Sequence, residues 1–228
     1  MRLSDYICNF LYEKNINTLF TVTGGFAMSL NDSFGIIERE KEDFEILYQH
    51  HEQACGYSAV GYSKLKLKPC IVCTTAGSAA TNAVSPCVDA YQDSVPILFI
   101  SGQVKSNETT SYLKKEKNID LRHYSGAEVN IISIVKPITK YAVEINDKKD
   151  IKFIMEKLYY ELTNGRPGPV WLSVPSDIQG QILTDDIEYP VFKQTNYEDY
   201  DLSKLLDLKE LCQPAIHYAK TGVVVSPR

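Results

Sequence analysis

The chain has 228 residues, of which 44% are hydrophobic and 23% charged. This composition is that of a globular protein with a sizeable core, so disorder as the dominant state is excluded. The formal net charge of -5 argues against nucleic acid or an anionic membrane surface as a partner. The longest apolar run, at 95–100, is too short to span a membrane, and the N-terminus has no apolar signal segment, so we expect a cytoplasmic protein.

In chain order, short apolar runs alternate with amphipathic segments of helical length. The sequence predicts helix Ser4–Lys14, strand Leu19–Thr23, helix Ala27–Arg39, strand Glu45–Gln49, helix Glu52–Leu65, strand Ile71–Thr75, helix Ala80–Tyr91, strand Ile97–Gly102, strand Thr139–Ile145, helix Lys149–Thr163 and strand Val170–Val174. Pro86 is expected to kink the fourth helix. This alternation predicts an α/β fold with a six-stranded, mainly parallel sheet and helices on both faces.

The pattern changes at about residue 180. Residues 1–180 are predicted to form one domain, 181–201 a polar, acidic linker, and 202–228 the truncated start of a second, central domain. That last segment holds one predicted helix and one predicted strand, too little for a domain.

Five of the six cysteines lie in apolar or helix-like segments, as expected of buried thiols in a reducing compartment. Cys70 and Cys73 have the spacing of a metal or redox pair. However, residues 70–75 are typical of a buried strand, on which residues three apart point to opposite faces. We therefore expect no metal site here.

Ligands of open parallel sheets bind at the carboxyl ends of the strands, so the turns there hold the candidate functional residues. Gly24 and Gly25 follow the first strand, Glu52 follows the second, and a run of small residues at 76–82 follows the third. Each also has a purely structural interpretation. The glycines would suit any tight turn, and a Glu at a helix N-terminus is favoured by the helix dipole. The glycine spacing does not match a dinucleotide fingerprint, and no Lys completes a phosphate-binding loop.

Taken together, these segments resemble the N-terminal, pyrimidine-binding domain of thiamine diphosphate enzymes of the acetolactate synthase type. The matching blocks, in order, are Thr23-Gly-Gly25, His51-Glu-Gln-Ala54 with Gly61-Tyr62, Thr75-Ala-Gly77 with Thr81-Asn82, Asp89-Ala-Tyr91 with Asp93-Ser-Val-Pro96, Ser101-Gly-Gln-Val104, Lys136-Pro-Ile-Thr-Lys140, and Gly165-Arg-Pro-Gly-Pro-Val170 with Pro175-Ser-Asp177. The residues in these blocks are most similar to those of acetolactate synthase-like proteins whose genes lie with genes for surface-sugar biosynthesis.

The resemblance implies roles for individual residues. Glu52 would be the catalytic acid that hydrogen-bonds N1′ of the aminopyrimidine and so helps to remove the thiazolium C2 proton. The resemblance also implies a set of cofactor-binding residues, namely Gly24, Gly25, Glu52, Gly77, Thr81 and Asn82. Phe26, His51 and Gln103 would line the substrate pocket. The implied reaction is carboligation or decarboxylation of a 2-oxo acid such as pyruvate, with a keto-sugar as one acyl acceptor.

The resemblance also implies a missing half of the cofactor site. The family binds Mg²⁺ and diphosphate through a Gly-Asp-Gly motif on a C-terminal domain, and none of the 12 glycines here precedes an Asp. A homodimer, or a second chain with that domain, is therefore expected, and Mg²⁺ would bind only through it. FAD, which some family members carry, is not supported by this chain.

Two departures from the family pattern leave other functions open. Gly77-Ser78-Ala79 replaces the usual Gly-Pro-Gly, and Ala127 replaces a Gln that tends to face the substrate. These changes favour a degenerate, non-catalytic binding or scaffold module that associates with a homologous enzyme. A nucleotide-binding regulatory domain is a third hypothesis, which the absent fingerprint opposes.

Overall fold

The computed structural model describes residues 1–184 and 188–193. Residues up to Phe192 form one compact unit, and Lys193–Arg228 form another, of which only Lys193 is described. Residues 181–184 run antiparallel to the N-terminus through an isolated bridge between Arg2 and Ile182. The rest of the predicted linker is described only in part, and the predicted central-domain segment lies outside the described residues. The domain division therefore stays a prediction.

The predicted sheet is confirmed. It consists of β1 (Thr18–Thr21), β2 (Glu45–Tyr48), β3 (Cys70–Thr74), β4 (Ile97–Gln103), β5 (Tyr141–Glu144) and β6 (Val170–Pro175). The spatial order is β2-β1-β3-β4-β6-β5, and every neighbouring pair is parallel. All carboxyl ends consequently lie at one edge of the sheet, which we call the C-terminal edge.

Helices cover both faces of this sheet. They are α1 (Leu3–Glu13), α2 (Met28–Glu40), α3 (Glu52–Lys66), α4 (Ser78–Asn82), α5 (Val84–Gln92), α6 (Thr110–Lys117), α7 (Ile131–Val135), α8 (Ile151–Thr163) and α9 (Ser176–Gln179). Of these, α6, α7 and α9 were not predicted by the sequence pattern. Among the described helices, none combines the length and the apolar character needed to cross a membrane.

The single helix predicted at Ala80–Tyr91 is wrong, because the structure breaks it into α4 and α5 at Ala83. Pro86 is the third residue of α5, where a missing N–H leaves no helical hydrogen bond unmade. Its ring packs against Gly56 of α3, where a Cβ atom would lie only 2.1 Å from Pro86 Cγ. Pro86 is therefore a packing residue between two helices.

Two hydrophobic layers sandwich the sheet. One contains side chains from α1, α2 and α8, and the other contains side chains from α3, α5 and α7. Cys73 belongs to the first layer and Cys70 to the second, which confirms that they point to opposite faces. Burial raises the pKa of both thiols to about 12, as expected of cysteines that serve as small core residues.

Candidate functional site

The turn after β1 is built on the turn after β3. The Phe26 N–H donates a hydrogen bond to Thr75 Oγ1 over 3.1 Å. A Cβ atom on Gly24 would lie 2.5 Å from Thr75 Cβ, so only glycine allows this approach. Gly25 is exposed, with open space where a Cβ would project. The two turns thus form a closely packed backbone surface at the C-terminal edge that a flat ligand can approach.

Gly77 joins a third segment to this surface. Its φ of +71° belongs to the left-handed region, and a Cβ there would lie 2.7 Å from the carbonyl oxygen of Ala127. Glycine is therefore required at the start of α4. The segment around Ala127 borders the glycine turn through its backbone.

Glu52 is the first residue of α3, directly after the loop that follows β2. The imidazole Nδ1 of His51 caps this helix by accepting from the Gln53 N–H over 3.2 Å. Glu52 Oε2 accepts a hydrogen bond from Asn82 Nδ2 at 3.0 Å. Within the described part of the chain, no protein donor reaches Oε1. The structure thus brings Glu52 and Asn82 together in a half-buried position and leaves one carboxylate oxygen available to a ligand.

The remaining predicted site residues lie at the same edge with varied exposure. Phe26 is half-buried, His51 is exposed, and the Thr81 hydroxyl donates to the Ser78 carbonyl over 2.8 Å. Gln103 is only 2% exposed, and its Nε2 donates to the Val129 carbonyl over 2.8 Å. The roles of these residues in binding stay predictions.

Sequence reasoning missed a second carboxylate at the C-terminal edge. Glu144, the last residue of β5, accepts from Ser173 Oγ over 2.9 Å, and its Oε2 lies 3.4 Å from Gln103 Nε2. Burial raises the pKa of Glu144, and the charge of Glu128 raises it further against these two hydrogen bonds. The rule that ligands bind at strand ends would have identified Glu144 had it been applied to the fifth strand.

Glu144 faces a separate cleft of about 610 Å³, which polar side chains from α6 and its neighbours also line. Lys115 and Asn130 are among them. This lining contains none of the residues that the sequence predicted for the cofactor. In residues 1–184 and 188–193, no group of three His, Cys, Asp or Glu side chains is arranged to hold a metal ion.

Comparison with known families decides the relationship. Residues 1–134 match the model of the thiamine pyrophosphate enzyme N-terminal TPP binding domain. The chain belongs to this family. Thiamine diphosphate is the cofactor that the family's domain binds, and the predicted resemblance is confirmed at this level.

Acetolactate synthases are similar to this chain over most of its length. The acetolactate synthase large subunit of Lactococcus lactis is 31% identical over 208 residues, which are 91% of this chain and 33% of that protein. The chloroplastic acetolactate synthase of Arabidopsis thaliana is 33% identical over 185 residues, which are 81% of this chain and 25% of that protein. The mitochondrial catalytic subunit of Saccharomyces cerevisiae is 26% identical over 224 residues, 93% of this chain and 30% of the yeast protein. The chain thus spans a quarter to a third of their length.

Proposed function

We propose that this chain binds the aminopyrimidine half of thiamine diphosphate at the C-terminal edge, with Glu52 as the group that activates the cofactor. The observation that carries the proposal is the Glu52 carboxylate, which Asn82 fixes through one oxygen while the other has no protein donor among the described residues. It opens α3, four residues after the edge strand β2 ends at Tyr48. A carboxyl group so placed can share a proton with a ring nitrogen.

The residues present fit the cofactor. Gly25 leaves open space at the turn after β1, and the half-buried Phe26 offers an apolar side chain beside it. When bound, thiamine diphosphate supplies the acidic C2–H and the electron sink that decarboxylation of a 2-oxo acid needs. Glu52 would hold the proton at the ring nitrogen. Asn82 would orient the carboxyl group by donating to Oε2, and the Gly24 turn would set the height of the ring above the sheet edge.

A second subunit is expected to complete the site. The exposed side of α3 carries Ala54, Tyr57, Gly61 and Leu65, an apolar stripe at helical spacing that begins two residues after Glu52. Such a stripe is typical of a surface that another chain covers. We propose a homodimer or a partner chain with the diphosphate-binding domain, through which Mg²⁺ would bind. A strictly monomeric mass by light scattering at micromolar concentration, with and without that partner, would count against it.

The proposed reaction is that of an acetolactate synthase-like carboligase or decarboxylase acting on a 2-oxo acid such as pyruvate. That the acyl acceptor is a keto-sugar is a more specific proposal, which rests on the sequence of the motifs alone. The observation that favours a non-catalytic scaffold module instead is Ala127, which meets Gly77 through its carbonyl and has no amide to offer a substrate.

Isothermal titration with thiamine diphosphate and Mg²⁺ tests the proposal. The chain alone should bind in the millimolar range, worth about 4 kcal/mol, with little dependence on Mg²⁺. Adding the partner should give tight, Mg²⁺-dependent binding and turnover of pyruvate. Tight Mg²⁺-dependent binding by the chain alone would show that the diphosphate site is misplaced. Tight binding without turnover in the complex would favour the scaffold function.

A further inference from the structure

The main chain of Phe26 is held from three directions. Its N–H donates to Thr75 Oγ1, and its carbonyl accepts from Gln179 Nε2 over 2.7 Å. Below it, Gly102 of β4 approaches so closely that a Cβ atom would lie 2.1 Å from the Phe26 oxygen. The direction of the Gly24–Phe26 turn is thus fixed by contacts with the turn after β3, with β4 and with α9.

Gln179 is the most remote of these partners in sequence. It lies in α9, is 1% exposed, and donates a second hydrogen bond from the same Nε2 to the carbonyl of Val174 over 2.9 Å. Both partners are carbonyl oxygens, so only the amide nitrogen can satisfy them, and neither an ionised carboxylate nor a thioether can. The side chain therefore ties the end of β6 to the turn after β1.

We propose that Gln179 is a positioning residue for the pyrimidine site: it holds the Phe26 carbonyl and thereby sets the main chain of Gly24 and Gly25 for the cofactor ring. The effect on cofactor binding rests on the proposed function. The effect on the conformation of the turn does not depend on it. A buried amide spanning two carbonyls resists replacement, since loss of its donor removes a hydrogen bond from each of them.

The test compares Gln179→Met, which keeps the length of the side chain and removes the donor, with Gln181→Met. Gln181 is the matched control, because its Nε2 reaches only the Asp177 carbonyl at 3.4 Å and it is partly exposed. Amide hydrogen exchange by NMR would follow Ala27, whose N–H bonds the Gly24 carbonyl across the turn, against Ile100 in the centre of the sheet. Thiamine diphosphate would then be titrated while the Gly25 amide is observed.

We expect exchange at Ala27 in Gln179→Met to accelerate about tenfold relative to Ile100, the factor that corresponds to one buried hydrogen bond. The dissociation constant for thiamine diphosphate should rise by about three- to tenfold, while Gln181→Met leaves both unchanged. If Gln179→Met fails to fold, Gln179→Asn keeps an uncharged amide on a side chain one methylene shorter, which cannot reach both carbonyls in the same way, and should show the same selectivity.

Equal acceleration at Ala27 and Ile100 would overturn the proposal, because Gln179 would then stabilise the whole domain and not the turn. Selective acceleration of exchange at Ala27 with unchanged affinity for thiamine diphosphate would overturn the role of Gln179 in cofactor binding. If the wild-type chain shows no response to thiamine diphosphate at all, the proposed function fails, and the exchange ratio still decides whether Gln179 positions the turn.

Discussion

Two carboxylates lie at the C-terminal edge, and their surroundings differ. Glu52 opens a helix, accepts one hydrogen bond from Asn82, and belongs to a region where glycine turns pack on one another. Glu144 ends the edge strand β5, is held by Ser173 and Gln103, and faces an open cleft. A position at a strand end therefore does not by itself support the proposal of a catalytic acid. The surface built around the carboxylate distinguishes the two.

The largest expected effect is a difference between Glu52 and Glu144 variants in the rate of cofactor activation. In a complex reconstituted with the proposed diphosphate-binding subunit, Glu52→Gln should slow hydrogen–deuterium exchange at cofactor C2 by roughly 10²- to 10⁴-fold, because the amide cannot supply the proton. The exchange is measured by NMR after acid quench. Glu144→Gln is the matched control and should exchange at the wild-type rate. His50→Gln and His51→Gln should cost less than Glu52→Gln. Wild-type exchange in Glu52→Gln, with a slow His variant, would move the assignment to that histidine.

A second prediction tests whether the Glu52 side of the edge is as tightly packed as its glycines indicate. Gly102→Ala places a methyl group against the Phe26 carbonyl, so we expect a loss of about 3 kcal/mol in the free energy of unfolding. Gly126→Ala, with no atom within 4 Å of the new Cβ, should change it by less than about 0.5 kcal/mol. Urea unfolding gives both values. Similar values for the two variants would mean that the turn moves aside easily.

The third prediction concerns pH and the Glu144 side. Folding raises the pKa of Glu144 above the ordinary value of 4.5, so the unfolded chain binds fewer protons in that window. Its contribution to stability is thus lost as pH rises from about 4.5 through the folded pKa. Glu144→Gln should therefore have a higher melting temperature than the wild type at pH 7, and the difference should shrink toward pH 4. A difference that grows on acidification would contradict the sign of this shift.

The smallest expected effect is that of Gly61→Ala, which should act differently on the stability of the chain and on its association with a second subunit. Gly61 lies in the middle of α3 with open space at its Cβ position, so Gly61→Ala should stabilise the chain by about 0.5–1 kcal/mol. If the stripe beside Glu52 is covered by a second subunit, the same methyl group should weaken that association. Thermal unfolding and light scattering measure the two effects. Stabilisation with unchanged association would place the partner elsewhere.

The sequence predicted the sheet well, because buried parallel strands are continuous apolar runs that need no partner to be recognised. The break at Ala83 agrees with the expected effect of Pro86, whose ring clashes with the carbonyl of the residue four positions earlier. Its packing on Gly56, which is 30 positions away in the chain, was not predictable. The hydrogen bonds from Asn82 to Glu52 and from Gln179 to the Phe26 carbonyl were not predictable from the sequence either. Both join segments that only the folded sheet brings together.

The pyrimidine site itself can be located most directly by titrating thiamine diphosphate into the ¹⁵N-labelled chain and following its amide resonances. We expect shifts at Gly24, Gly25, Glu52 and Asn82 at millimolar cofactor, with Glu144 and Asn146 unchanged. Shifts confined to the cleft beside Glu144, or none at millimolar cofactor, would contradict a pyrimidine site at Glu52.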